Sequence, residues 1–158
     1  MDIQRVSNVE FRVPTRVVIE PGCVQSLAAV VHRLPAKRVV FVTDAGLCED
    51  SIVVSALESL RAAGITVELV ADIETNPRTT TAERVALVAR GAEAIVGFGG
   101  GSVMDAAKGA AMLATNPGRA LDYVGANRFD HDPLPFIAVP TTCGTGSEVT
   151  WVSVLTDL

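Results

Sequence analysis

Hydrophobic residues recur along the chain with two different periods, which predict strands that alternate with helices. Near-continuous apolar runs at 38–44, 94–98 and 136–139 are typical of parallel strands covered on both faces, and the alternating residues 65–70 predict a further strand. Apolar residues at helical spacing predict helices over 24–34, 51–63, 79–90 and 102–114. This order of elements predicts an α/β fold, a Rossmann-like parallel sheet with helices on both faces.

Two β-prone segments lie outside this alternation, one near each end of the chain. Residues 10–13 and 16–19 flank Pro14 and predict an N-terminal β-hairpin. Residues 150–155 predict a strand that runs antiparallel at the edge of the sheet. The polar residues 118–134 predict a loop.

The composition bounds the class of protein. The chain has 158 residues and is 49% hydrophobic, which suits one domain with a real core. Its net charge is -5 and it has no run of Lys or Arg, so we expect neither nucleic acid nor a membrane surface as a partner. The first residues lack the apolar centre of a signal peptide, and a cytoplasmic protein is expected. Three widely spaced cysteines predict neither a zinc site nor a disulfide.

The most informative stretch is the glycine turn, residues 99–101, which follows a predicted strand and begins a predicted helix. Glycines let the backbone approach a ligand closely, and the N–H groups at a helix N-terminus have no acceptor within the helix. This combination binds phosphate or pyrophosphate. The threonine loop, residues 140–148 (Pro-Thr-Thr-Cys-Gly-Thr-Gly-Ser-Glu), also follows a strand. The two stretches predict the walls of one nucleotide-binding crevice.

Asp44 lies at the C-terminal end of its predicted strand, where ligands bind in open α/β sheets. A carboxylate there can accept hydrogen bonds from the hydroxyls of an adenosine ribose and would repel a 2′-phosphate, which favours NAD over NADP. The alternative is an N-cap for the following helix, and position alone does not decide between the two.

Two further polar residues have a structural and a functional interpretation. Asn76 precedes a proline and should be extended, so its amide either points at a ligand or only shapes the turn. Ser102 and Asp105 match a capping box, in which Asp105 accepts from the Ser102 N–H. Asp105 otherwise contacts the nicotinamide amide or a ribose.

The order of these parts differs from the usual dinucleotide fingerprint, because Asp44 precedes the glycines and Ser102 replaces the last glycine. The chain also lacks the Gly-Lys-Ser/Thr of a P-loop. It resembles instead the iron-containing (group III) alcohol dehydrogenase family. The resemblance is carried by residues 99–108 (Gly-Gly-Gly-Ser-x-x-Asp-Ala-Ala-Lys) and 137–150, with support from 43–44 and 74–77, and it covers nearly the whole chain.

The resemblance implies that residues 1–158 form an NAD(P)-binding domain with a dehydroquinate synthase-like N-terminal fold. By position, the glycine turn and Ser102 bind the pyrophosphate, Asp44 lies by the adenosine ribose, and the threonines line the cleft. The implied cofactor-binding residues are Asp44, Asn76, Gly100, Gly101, Ser102, Asp105, Thr141, Thr142 and Thr145.

The family's metal ligands come from a helical domain that this chain does not contain. The resemblance implies Fe²⁺ or another divalent metal there, where it polarises the substrate oxygen, and a homo-oligomer for the full-length protein. The histidines of this chain, His32 and His131, fit no metal set. We therefore expect a cofactor domain of an enzyme that transfers hydride between NAD(H) and an alcohol, aldehyde or ketone, inactive by itself. The alternatives are a maleylacetate reductase or glycerol dehydrogenase-like relative, and a stand-alone dinucleotide-binding module without catalysis.

Overall fold

The computed structural model describes residues 15–126 and 128–157. In these residues strands and helices alternate along the chain. The strands are β1 (Arg38–Val42), β2 (Thr66–Val70), β3 (Ala94–Gly99) and β4 (Phe136–Pro140). The α-helices are α1 (Leu27–Arg33), α2 (Ser51–Ala62), α3 (Thr79–Ala89) and α4 (Gly101–Thr115), with short 3₁₀ turns at Cys23–Ser26 and Ala120–Tyr123.

The four strands form one parallel sheet in the order β2-β1-β3-β4. Val40 lies opposite Glu68 of β2 on one side and opposite Ile95 of β3 on the other. From β1 the chain crosses to one edge of the sheet, and from β3 it crosses to the other. The carboxyl ends of β1 and β3 therefore meet at a topological switch point, where open α/β sheets bind their ligands.

Alternate residues of the central strands face two separate cores. Val39 and Phe41 pack with α1 and α2, while Val40 and Val42 pack with α3 and α4. All four side chains are fully buried, which explains the near-continuous apolar run in a strand covered on both faces. The predicted α/β sheet with helices on both faces is confirmed.

Strands were also predicted near both ends of the chain, as an N-terminal hairpin and as an antiparallel strand over 150–155. Residues 10–13 of the predicted hairpin lie outside the described residues, and 16–19 are not assigned to a strand. The predicted antiparallel strand over 150–155 is wrong. That segment has no regular structure and ends in a single parallel bridge between Thr156 and Arg78. Val152 and Val154 of this segment are exposed, and the β propensity of such residues depends on neighbours to pack against.

Within the described residues, no helix combines the length and the hydropathy that crossing a membrane requires.

Gly99, the first residue of the glycine turn, is required by packing inside the protein. A Cβ at this position would lie 2.7 Å from Val103 Cγ2 and 2.8 Å from Val103 Cβ. Val103 is almost fully buried on α4 and cannot move aside freely. We expect Gly99→Ala to lower the free energy of unfolding by about 1–3 kcal/mol, the usual cost of overpacking. Urea unfolding measures this, and a loss below about 0.5 kcal/mol would contradict the packing argument.

Candidate functional site

A cleft of about 610 Å³ opens at the carboxyl ends of the four strands. Three loops and the first turn of α4 form its walls. The lining residues are Asp44, Ala45, Gly46, Leu47, Ile73, Glu74, Thr75, Gly100, Gly101, Ser102, Val103, Thr141 and Thr142. The glycine turn and the start of the threonine loop thus line the same cleft, but they lie side by side and in contact, and do not form two opposite walls.

The N-terminus of α4 offers free backbone donors to this cleft. The first hydrogen bond of the helix runs from the Met104 N–H to the Gly100 carbonyl, at 3.1 Å. The amides of residues 101–103 precede it, and no side chain of the described residues caps this helix end. Unpaired N–H groups at the positive end of a helix dipole form an anion site. Because α4 contains fifteen residues, its dipole is fully developed.

The lack of a side chain has a different consequence at each of the neighbouring glycines Gly100 and Gly101. A Cβ on Gly101 would lie 2.9 Å from Thr145 Cγ2, so glycine is needed there for the threonine loop to pack against α4. A Cβ on Gly100 would meet only Thr142, at 3.4 Å, which is an ordinary contact. The backbone at Gly100 (φ −77°, ψ −175°) is also open to any residue. Packing within the described protein therefore does not require glycine at position 100.

Asp44 is held at the cleft by its own loop. Its Oδ1 accepts hydrogen bonds from the N–H groups of Gly46 (2.9 Å) and Leu47 (3.1 Å). The N-cap of α2 is Asp50, whose carboxylate accepts from the Ile52 N–H, so Asp44 does not cap that helix. It caps the turn at 45–49 instead. The carboxylate is fixed in direction and lines the cleft.

Asn76 is not extended, contrary to the expectation for a residue before proline. Its φ is +52°, in the left-handed region. Its N–H donates to Ser102 Oγ at 3.2 Å, and its carbonyl accepts from Thr156 Oγ1 at 3.3 Å. These contacts fix the turn next to the helix N-terminus. Asn76 itself does not line the cleft, and its contact with a cofactor stays a prediction.

Glu74 stabilises the same loop from its other end. Its Oε1 accepts from the Thr81 hydroxyl at 2.6 Å and from the Arg78 N–H at 3.1 Å. Burial by itself raises the pKa of Glu74, but the hydrogen bonds from Thr81 and from backbone N–H groups, together with the charge of Arg78, outweigh burial, and the net pKa is lowered. The ionised carboxylate is the form that the folded loop favours.

Glu74 should therefore stabilise the fold in a pH-dependent way. A lowered pKa in the folded state contributes stability that is fully present above the unfolded value of 4.5 and is lost as the pH falls through the folded value. We expect Glu74→Gln to lower the free energy of unfolding at neutral pH by about 1 kcal/mol. The difference from the unmodified chain should shrink below pH 4.5.

Urea unfolding as a function of pH measures this difference, with Glu58→Gln on the exposed face of α2 as the matched control. Glu93 also has a lowered pKa, because it accepts from the backbone N–H groups of Lys37 and Arg38. It titrates in every variant and cancels in the comparison. A Glu74→Gln difference that stays constant down to acidic pH would contradict the role of the carboxylate.

The threonines of the threonine loop lie at different depths of the site. Thr141 and Thr142 line the cleft, and the Thr141 N–H donates to the Gly99 carbonyl at 3.0 Å. Thr145 packs on Gly101 instead, and its Oγ1 accepts from the Ser147 N–H at 3.3 Å. The residues that follow Gly146, 147–149, make a turn and not a helix.

Asp105 lies further along α4 and is not among the residues that line the cleft. Its carboxylate is 3.0 Å from Lys108 Nζ and accepts from Ser147 Oγ at 2.5 Å. It does not cap the helix, because the N-cap position is taken by Gly100 and not by Ser102. Direct contact of Asp105 with a cofactor stays a prediction, and the observed contacts are all within the protein.

Sequence reasoning did not select Gly46 and Thr75, which line the cleft, or the contact of Lys108 with Ser147 beside it. The sequence does indicate a role for Gly46. An Asp followed by Gly two positions later is typical of a turn in which the carboxylate accepts from backbone N–H groups. The contact of Lys108 with Ser147 joins residues 39 positions apart, and no local pattern reports such a pair.

A metal site was expected outside this chain. In the described residues, no three His, Cys, Asp or Glu side chains cluster so as to hold a metal ion. The described donor set therefore does not fit the metal of the family, and no chemical step of this chain is derived through it.

The comparisons with known proteins assign the chain to a family. A family model described as iron-containing alcohol dehydrogenase matches residues 14–158. The chain belongs to the iron-containing alcohol dehydrogenase family, which confirms the resemblance seen in its motifs.

Among its relatives, the sulfoacetaldehyde reductase of Bilophila wadsworthia is 38% identical over 138 residues, which cover 86% of this chain and 36% of that protein. The crystal structure of a 1,3-propanediol oxidoreductase superposes with a TM-score of 0.83 at 36% identity, over 87% of this chain and 37% of the other. A sulfoacetaldehyde reductase from Bifidobacterium kashiwanohense, solved in complex with NAD⁺, gives a TM-score of 0.75 at 32% identity, over 86% and 36%. The chain thus spans little more than a third of the length of these relatives.

Proposed function

We propose that this chain binds NAD(H) in the cleft that the glycine turn and the threonine loop line together. The observation that carries the proposal is the free helix N-terminus of α4, uncapped by any described side chain and set beside Gly100, where the protein's own packing does not demand glycine. A pyrophosphate would accept from the amides of residues 101–103. Its two negative charges would lie at the positive end of the helix dipole.

The polar groups on the two sides of this anion site fit the rest of a dinucleotide. Asp44 lies on the β1 side with one carboxylate oxygen held by its loop, which leaves the other oxygen to accept from ribose hydroxyls. A 2′-phosphate next to this carboxylate would be repelled, so the site should prefer NADH to NADPH. Thr141 and Thr142 lie on the β4 side and supply hydroxyl groups toward the nicotinamide half.

For the whole protein we propose an oxidoreductase that transfers hydride between NAD(H) and an alcohol, aldehyde or ketone. Support comes from the family and from relatives named for such substrates. A helical domain that follows residue 158 would hold Fe²⁺ or another divalent metal, which polarises the substrate oxygen when bound. In this proposal the described residues bind and orient the dinucleotide, and they supply no acid or base to the reaction.

Isothermal calorimetry of the 158-residue chain with NADH tests the proposal. We expect one saturable site per chain, and we expect ADP-ribose, which carries only the adenosine, pyrophosphate and second ribose, to compete for it. NADH heats no larger than those of dilution would overturn the proposed function. Binding that ADP-ribose does not displace would overturn the placement of the pyrophosphate at α4.

A further inference from the structure

Lys108 on α4 places its ammonium group in the protein interior, where the side chain is only 9% exposed. It lies 3.0 Å from Asp105 Oδ1 and donates to the Ser147 carbonyl at 3.0 Å. It also donates to the carbonyl and the hydroxyl of Thr150, each at 3.4 Å, and to the Val152 carbonyl. A buried ammonium is costly to desolvate unless its donors are satisfied, and here every donor has an acceptor.

Apart from Asp105, the partners of Lys108 all belong to one segment without regular structure. This segment is the end of the threonine loop and the strap, which we define as residues 149–156. Among the described residues, no backbone N–H donates to the carbonyls of Ser147, Thr150 or Val152. Lys108 therefore supplies the donor that a sheet neighbour would otherwise provide.

Asp105 adds a second set of contacts to the same segment. Its carboxylate accepts from Ser147 Oγ at 2.5 Å, and its backbone carbonyl accepts from Ser153 Oγ at 2.6 Å. Ser147 is itself buried. The Asp105–Lys108 pair thus holds the threonine loop at its last residues and the strap along its length.

The strap ends at the opposite rim of the cleft. The Thr156 N–H donates to the Pro77 carbonyl at 2.8 Å, and the Thr156 carbonyl accepts from the Thr79 N–H at 3.0 Å. The turn that contains Asn76 is bonded on its other side to Ser102 at the start of α4. One continuous segment therefore connects the threonine loop to the turn at 74–77, and Lys108 lies beneath its middle.

We propose that Lys108, together with Asp105, is a positioning residue that keeps the threonine loop over the glycine turn in the arrangement that binds the dinucleotide. This inference rests on the proposed function, since it assigns a role in the same site. The ammonium acts through the backbone that it holds and does not touch the cofactor. Without it, the carbonyls of Ser147, Thr150 and Val152 lose their donor, and the segment keeps only its serine contacts with Asp105 on α4.

A buried pair that only stabilised the fold would behave differently. Its loss would lower the unfolding temperature, but the folded molecules that remain would bind NADH as before. The positioning role instead predicts weaker binding and a looser strap at temperatures where every variant is folded.

Lys108→Met tests this difference, because methionine keeps the apolar stem and removes the charge. Lys37→Met is the matched control, since Lys37 is the chain's other lysine and is exposed. Trp151, the single tryptophan, is 75% exposed and lies in the strap between two residues held by Lys108. For Lys108→Met we expect lower Trp151 fluorescence anisotropy and about tenfold weaker NADH binding, as for the loss of one hydrogen bond to a charge. Lys37→Met should change neither.

Unchanged anisotropy and unchanged NADH affinity in folded Lys108→Met would overturn the proposal. If that variant does not fold, Ser147→Ala tests the proposal in its place, because this substitution removes only the hydroxyl that donates to the Asp105 carboxylate. It should loosen Trp151 and weaken NADH binding in the same direction, and no change would again overturn the role. If the unmodified chain does not bind NADH, the proposed function fails, and the anisotropy of Lys108→Met still shows whether Lys108 holds the strap.

Discussion

Gly100→Ala should weaken NADH binding by about 10- to 100-fold, which corresponds to losing one charge-assisted hydrogen bond to the pyrophosphate. The protein itself accepts the new methyl group, since the Cβ would lie 3.4 Å from Thr142 Oγ1 and the backbone angles are ordinary. The free energy of unfolding should fall by less than about 1 kcal/mol, and this small loss arises because alanine is a poorer N-cap than glycine. The methyl group would instead occupy the space through which a phosphate approaches the amides of α4.

Calorimetry with NADH measures the loss of affinity, and urea unfolding of the same variant measures its stability. Gly99→Ala is the informative comparison, because its Cβ clashes with Val103 inside the protein and its main effect should be on stability. Gly99 should thus matter mainly for folding and Gly100 mainly for binding. Gly100→Ala with unaltered NADH affinity would show that the pyrophosphate does not lie against this turn.

Asp44→Asn should reduce the preference for NADH over NADPH by at least about tenfold, or about 1.4 kcal/mol. Asparagine keeps an oxygen that can accept from the Gly46 and Leu47 N–H groups, so the loop should hold its shape. What it removes is the negative charge that would face a 2′-phosphate, and like charges in contact across an interface are costly. Most of the change should be a gain in NADPH affinity.

Asp50→Asn is the matched control for this charge change. Asp50 caps α2 through its side chain and lies outside the cleft, and asparagine caps a helix about as well as aspartate. Titrations with both nucleotides should show the same preference in Asp50→Asn as in the unmodified chain. Equal preferences in Asp44→Asn and Asp50→Asn would mean that Asp44 does not face the adenosine ribose.

The sheet could be predicted from sequence because its central strands are buried on both faces. In β1 every residue from Val39 to Val42 is inaccessible to solvent, so the strand reads as an unbroken apolar run. The strap could not be predicted in the same way. Its valines are β-prone, but the donor for its carbonyls is a lysine 44 positions away from Val152. A pairing at that separation leaves no periodic signal in the sequence.

The site was predictable where chemistry and chain position coincide. Asp44 and the glycine turn follow buried strands, and the carboxyl ends of neighbouring parallel strands must meet at one edge. Asp105 was harder, because the pattern Ser-x-x-Asp matches a capping box whenever the helix begins just after the serine. Here α4 begins one residue before Ser102. That shift of register frees Asp105 to pair with Lys108 and Ser147.

NADH binding at the glycine turn is tested most directly by an NMR titration of the chain with NADH, with ¹⁵N label only at the chain's 13 glycines. Gly46, Gly100 and Gly101 line the cleft at the carboxyl ends of the strands. Gly64 and Gly91 follow α2 and α3 and precede β2 and β3, so they lie at the amino ends of the strands. We predict that NADH shifts the amide signals of Gly100 and Gly101 most and leaves Gly64 and Gly91 in place. Unmoved Gly100 and Gly101 signals at saturating NADH would contradict the central claim that this glycine turn holds the dinucleotide.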